Sequence, residues 1–211
     1  WSCSDFSYDV SEGIATIRLS GRYDSIAASF LIQIDAEGLC RIDYQIENPP
    51  EGTLIEEAGI KFIAGDVFTT LAWDRNGYFT SYPENHLSGN TGMVHLAQKP
   101  SMHYREEPAH AWEIDTREFY YFGLDTVLPY ANIVRSLKEN IYTYSLKTER
   151  DARVEVFSDG THACRFDRID GENTLFINQY WDYTSLLWGN YMKLVPVPDV
   201  LVGHIVLKIG K

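Results

Sequence analysis

The stretch Phe30-Leu-Ile-Gln-Ile-Asp35, Ala36-Glu-Gly38, Cys40-Arg-Ile-Asp-Tyr-Gln-Ile46 reads as two β-rich runs joined by a glycine turn. Side chains on a strand alternate between faces, so apolar residues at every second position predict a strand with one face buried. Working outward, the same habit recurs in Gly13-Ile-Ala-Thr-Ile-Arg-Leu-Ser20, Ala58-Gly-Ile-Lys-Phe-Ile63 and Phe68-Thr-Thr-Leu-Ala-Trp73. It returns in Ile141-Tyr-Thr-Tyr-Ser-Leu146, Arg153-Val-Glu-Val-Phe157, His162-Ala-Cys-Arg-Phe166, Thr174-Leu-Phe-Ile-Asn178 and Leu201-Val-Gly-His-Ile-Val-Leu-Lys-Ile209. Turn chemistry separates the runs at Asn48-Pro-Pro-Glu-Gly52, Arg75-Asn-Gly77, Ser158-Asp-Gly160 and Asp170-Gly-Glu172, and Ser158-Asp-Gly160 predicts a tight hairpin. A parallel α/β fold would need a crossover helix between most strands, and no convincing amphipathic helix interrupts these. The expectation is an all-β protein, a large antiparallel β-sandwich forming a single domain over residues 1–211.

Composition fits that class. The 45% hydrophobic content, with 14 Tyr, 10 Phe and 5 Trp, supplies a substantial core and leaves aromatics for a surface or cleft. With 18 basic and 30 acidic residues the net charge is −12, which repels phosphates and anionic head groups, so no nucleic-acid or membrane partner is expected. No apolar run approaches the ~18–20 residues needed to span a bilayer. Trp1 to Asp9 lack the basic start and hydrophobic stretch of a signal peptide, and so abrupt a start reads as a cut within a longer chain. Localisation is therefore left unassigned, with periplasmic or secreted favoured for a parent that degrades external glycans. Cys3, Cys40 and Cys164 are widely spaced, match no metal-ligand pattern and leave any disulfide pairing open.

The search for chemistry is mostly subtractive. A glycosidase needs two carboxyl groups roughly 5 Å or 6.5–9.5 Å apart across the scissile bond. The adjacent pairs Glu56-Glu57 and Glu106-Glu107 point to opposite faces of an extended chain and read as solvated turns or edges. His86, His95, His103 and His110 match no zinc motif. No nucleophile elbow, phosphate loop or dinucleotide glycine pattern is present, so no catalytic residue, metal or cofactor is assigned. The least regular region, about Gly77 to Asn140, is where binding loops belong. It opens with the aromatic and polar cluster Trp73-Asp-Arg-Asn-Gly-Tyr-Phe-Thr-Ser-Tyr-Pro-Glu-Asn-His86. Aromatic faces stack on the C–H faces of pyranose rings while polar groups satisfy hydroxyls. Trp73, Arg75, Tyr78, Tyr82, Glu84 and His86 are therefore candidate carbohydrate contacts. The alternative has Trp73 ending a strand, Tyr78 and Tyr82 covering the sandwich edge and Arg75 pairing with Glu84. A second cluster, Tyr180-Trp-Asp-Tyr183 with Trp188-Gly-Asn-Tyr191, adds Trp181 and Trp188 and carries the same two readings.

The segment Trp73-Asp-Arg-Asn-Gly-Tyr and Ser81-Tyr-Pro-Glu-Asn-His86 resembles the WYGRGPxENYPDR-type segment in the C-terminal domain of family 2 β-galactosidases. The strand Glu57-Ala-Gly-Ile-Lys-Phe62 is similar to the strand leading into that segment, and the Phe30-to-Ile46 hairpin to the family's first strand pairs. Asn132-Ile-Val-Arg-Ser-Leu-Lys-Glu-Asn-Ile-Tyr142 and Val154-Glu-Val-Phe-Ser-Asp-Gly160 resemble the Arg-bearing loop and hairpin that follow. The resemblance implies a galactose mutarotase-like supersandwich beside a (β/α)8 barrel that supplies both catalytic glutamates. It also implies an aromatic near the C-terminus lent to the sugar pocket, for which Trp181 or Trp188 stands by position. The family's Gly-Pro is replaced by Asn76-Gly77 with Tyr78 and Phe79 inserted, and its Asp-Arg by Glu84-Asn-His86, so substrate preference does not carry over. The expected function is a non-catalytic accessory domain of a β-galactosidase-like hydrolase, with carbohydrate and the parent's catalytic barrel as partners. Two alternatives stand beside it. One is an aldose-epimerase-like enzyme, with His103 and Glu155 as the acid–base pair; the other is a purely structural interaction domain.

Overall fold

The computed structural model describes residues 1–47, 54–55, 57–78, 80–81, 89–95, 137–169, 172–181, 195–196 and 198–211. Fourteen strands and no helix occur among them. In chain order they are β1 (Ser2–Ser11), β2 (Ile14–Tyr23), β3 (Ile26–Asp35), β4 (Leu39–Glu47), β5 (Leu54–Ile55), β6 (Glu57–Ala64) and β7 (Phe68–Arg75). The remainder are β8 (Thr91–His95), β9 (Ile141–Thr148), β10 (Arg153–Phe157), β11 (Ala163–Ile169), β12 (Glu172–Trp181), β13 (Val195–Pro196) and β14 (Val200–Gly210). The all-β, antiparallel expectation holds, and every run read from the sequence falls on a strand. Among the described residues no helix is long and apolar enough to cross a membrane.

Nine strands form one sheet in the order β1-β2-β3-β4-β14-β10-β9-β7-β8, and β11-β12-β6 form a second; β13 pairs with β5. The sequence explains the register. Cys40, Leu207, Val156, Tyr144 and Trp73 stand opposite one another across β4, β14, β10, β9 and β7. On the small sheet the rows Cys164–Ile177–Ile60 and Phe166–Leu175–Phe62 do the same. These rows share one apolar core, in which Leu71, Ile141, Leu146 and Ile177 are wholly buried. Burying such a side chain contributes about 1.5–3 kcal/mol, and a register slip by one residue would turn each row to solvent. The three cysteines carry separate thiols, Cys3 exposed and Cys40 and Cys164 buried.

At the β1–β2 turn Glu12 and Gly13 both take positive φ, 51° and 79°, as a two-residue hairpin of the right twist requires. The large sheet then runs on beyond its partner. Phe6, Tyr8 and Val10 project from one face of β1 at 57%, 71% and 66% exposure, aligned with Leu19, Ile17 and Ala15 of β2.

Ser158-Asp-Gly160 is not the tight hairpin its composition predicts. β10 pairs with β9 and β14, whereas β11 pairs with β12, so the turn carries the chain out of the large sheet into the small one. This departure leaves β14, still paired with β4 on its other side, without a neighbour on the β10 side beyond the pair Phe157↔Val206. On that side the peptide groups of Val202 and His204 would be an open sheet edge, which natural proteins cover. Three side chains close it: Tyr180 Oη donates to Val202 O (3.1 Å), Gln179 Oε1 accepts from His204 N (2.8 Å), and His162 Nε2 donates to His204 O (2.7 Å). A β-bulge at Gln179, between Asn178↔Gly59 and Tyr180↔Ala58, supplies the extra residue, and both Gln179 and Tyr180 reach β14.

His162 is buried, with Nδ1 accepting from Ser158 Oγ (2.8 Å), and burial pushes its pKa below the usual histidine value. The unfolded chain therefore takes up the proton first. The neutral ring contributes stability that is complete above the unfolded value of about 6.5 and is lost as pH falls through the lower native value. Melting curves between pH 7.5 and 5.5 should show a larger drop in Tm for the wild type than for His162→Gln, which keeps a donor for the His204 carbonyl. Parallel curves would contradict the assignment.

Candidate functional site

β7 carries the first aromatic cluster toward the end of the sandwich, where the structure separates its members. Trp73 points inward at 4% exposure. Its indole Nε1 donates to Gly89 O (3.1 Å), and the Lys138 ammonium lies 4.5 Å from the ring centroid. Gly92, directly opposite on β8, is a glycine for a steric reason: a Cβ there would stand 2.3 Å from the Trp73 ring. Trp73 is thus a core side chain with no open face for a sugar ring. Arg75 is equally buried, its Nε donating to Gly89 O (3.2 Å) and its backbone N to Asn90 O (2.8 Å), so it fixes the 89–90 segment against the end of β7.

Past Arg75 the chain leaves the sheet but stays pinned. Asn76 N donates to Asn140 O (2.8 Å), Asn140 Nδ2 returns a bond to Asn76 O (3.2 Å), and Gly77 N donates to Asn90 Oδ1 (2.9 Å). Asn140 holds φ at 55°, a left-handed conformation that asparagine tolerates better than other side chains. These bonds deliver Tyr78 to the surface, its residue 65% exposed. Its hydroxyl end is turned toward the side chains of Glu139, Asn140 and Trp181. Burial and the nearby Glu139 charge push the Tyr78 phenol above its ordinary pKa, so it remains a neutral donor at physiological pH.

Two aromatic clusters far apart in the chain therefore come together where Trp181 reaches the hydroxyl end of Tyr78. Trp181 ends β12 opposite Glu57, the first residue of β6. Glu57 is not the solvated edge residue its sequence context suggests. Arg165 grips it with Nη2–Oε1 at 2.8 Å and Nε–Oε2 at 3.1 Å, and Asn178 Nδ2 donates to Oε2 at 2.9 Å. The Arg165 guanidinium in turn lies 3.5 Å from the Phe176 ring centroid. A bidentate, stacked arginine of this kind fixes geometry, and here it fixes the strand ends beneath Trp181. Neither Glu139, Asn140 nor the Arg165–Glu57 pair stood out in the sequence, since each is an ordinary polar residue until the strands bring it into place.

Tyr82, Glu84, His86 and Trp188, with His103 of the epimerase alternative, lie outside the described residues. Glu155, the proposed partner of His103, sits on β10 with Arg153 Nε 3.8 Å from its carboxylate. Among the described residues no three His, Cys, Asp or Glu side chains converge as metal ligands.

No protein-family model and no curated protein matches this sequence. Its structure is similar to that of a galactose mutarotase related enzyme from Lactobacillus acidophilus, with a TM-score of 0.32 and 11% sequence identity, over 99% of this chain and 72% of that one.

If Trp73 is core, Trp73→Ala should cost about 3–5 kcal/mol of stability, as large aromatic deletions do. Urea denaturation measures this, and a loss below about 1 kcal/mol would return Trp73 to the surface.

Proposed function

We propose that the chain is a non-catalytic, carbohydrate-associated domain of a family 2, β-galactosidase-like glycoside hydrolase, built on a galactose mutarotase-like supersandwich. In this reading it packs beside the catalytic barrel and presents a sugar-contact platform. The observation that carries the proposal is the pairing of Tyr78 with Trp181. Tyr78 is mostly exposed while its hydroxyl end lies beside Glu139, Asn140 and Trp181, which leaves the ring open for a sugar to stack on. Glu139 and Asn140 stand at its edge as partners for hydroxyls. Tyr82, Glu84 and His86 follow Tyr78 in sequence and Trp188 follows Trp181, and the proposal includes them as further contacts.

The packing role is supported by β1–β3. Phe6, Leu19 and Phe30 stand in register, as do Tyr8, Ile17 and Ile32, and the outermost of each row is more than half exposed. A contiguous apolar sheet face of this kind marks a surface that meets another protein surface. The net charge of −12 and the candidate contacts favour a neutral glycan over an anionic one.

Calorimetric titration with galactose, lactose and a panel of plant and host oligosaccharides tests the sugar role. Saturable binding is expected, weakened about tenfold or more by Tyr78→Ala and by Trp181→Ala, in line with losing a stacking aromatic. Binding unchanged in both variants, or silence across the panel, would overturn the platform.

A further inference from the structure

The departure of β10 from the large sheet leaves a pocket of about 430 Å³ at the junction of the two sheets. That is within the range of small-molecule sites. Phe157 and Val206, the last pair of the β10–β14 ladder, contribute its apolar surface. Its polar lining includes Asp159, His162, Gln179 and His204. Several of these groups keep bonding capacity after closing the β14 edge. Because Gln179 accepts from a backbone N–H, its oxygen is fixed toward β14, and its amide nitrogen has no hydrogen-bond partner among the described residues. His204 uses Nδ1 on Asp43 Oδ1 (2.6 Å), and its Nε2 likewise has no partner there. Asp159 is held ionised by hydrogen bonds from the hydroxyl and backbone N–H of Thr161.

We infer that this junction pocket binds a single neutral pyranose, with Phe157 against its C–H face, the Gln179 amide and His204 imidazole on one set of hydroxyls and the Asp159 carboxylate on another. A sugar hydroxyl both donates and accepts, so it can serve a donor such as Gln179 and an acceptor such as Asp159 around one ring. An anionic ligand is disfavoured by Asp159 and by the charge of −12 on the chain. The β-bulge supports the same assignment, since bulges re-aim side chains beside functional sites and this one places Gln179 in the pocket wall. The inference rests on these observations and not on the Tyr78–Trp181 platform.

The discriminating variant is Gln179→Glu. It keeps an oxygen for His204 N and so preserves the strand edge, while removing the amide donor. Asp159→Asn, at an exposed turn position, is the companion. NMR titration of the full chain with D-galactose and D-glucose should shift the Gln179 side-chain amide and the His204 ring resonances saturably in the wild type. Either variant should weaken the saturable response read at the His204 ring roughly tenfold, the cost of a polar contact to a charged or buried partner, with Tm held. D-glucuronate should bind far more weakly. Trp181→Ala should remove platform binding and leave these shifts intact, so the two sites fail separately. Absence of shifts at Gln179 and His204, equal binding of glucuronate, or an undiminished response in both variants would overturn the inference.

Discussion

The structure depends on how one open strand edge is closed. β14 is shared by β4 on one side and β10 on the other, but β10 leaves at Phe157 to carry the chain toward the small sheet. Without that exit the core would have one wall. With it, the peptide groups of Val202 and His204 that face away from β4 have no strand partner, and Tyr180, Gln179 and His162 supply side-chain bonds in its place. Two of the three come from a bulged end of β12, so the second sheet itself seals the gap that its own connection opened.

That closure also positions the proposed chemistry. The same stretch of β12 that seals β14 continues into Trp181, which meets Tyr78, while the Arg165–Glu57 pair ties β11 to β6 beneath it. Trp73 and Tyr78 lie close in sequence and differ completely in role. The first fills the space that Gly92 leaves on β8, and the second is carried beyond the sheet by the Asn76–Asn140 bonds. In the proposed reading, buried aromatics make the end of the sandwich rigid and one exposed tyrosine faces the ligand.

Much of the fold was legible because one-sided burial writes a period of two into the sequence. Cys40, Ile42 and Tyr44 are buried while Arg41 and Asp43 are exposed, as their alternation predicts. β1 gave a weaker signal, since all ten residues are exposed and serines and aspartates separate its apolar positions. β8 is short and carries Gly92 for a reason that only the Trp73 ring reveals. At Ser158-Asp-Gly160 the sequence announces a turn, but local turn chemistry is the same whether the next strand returns to its own sheet or joins another. The site was half legible: composition marked the clusters around Trp73 and Trp181, while burial, which only the register decides, separates Trp73 from Tyr78. Gln179 and His162 were unreadable as edge seals, because that role exists only once β10 has left β14.

The backbone amide of His204 tests this account most directly, through its hydrogen-exchange rate in the native chain. If Gln179 closes the β14 edge, that amide should be protected to the same degree as the core amides of Ile205 and Leu207. Exchange at the rate of the β1 amides that face away from β2 would contradict the closure, and with it the basis for a built pocket at the sheet junction.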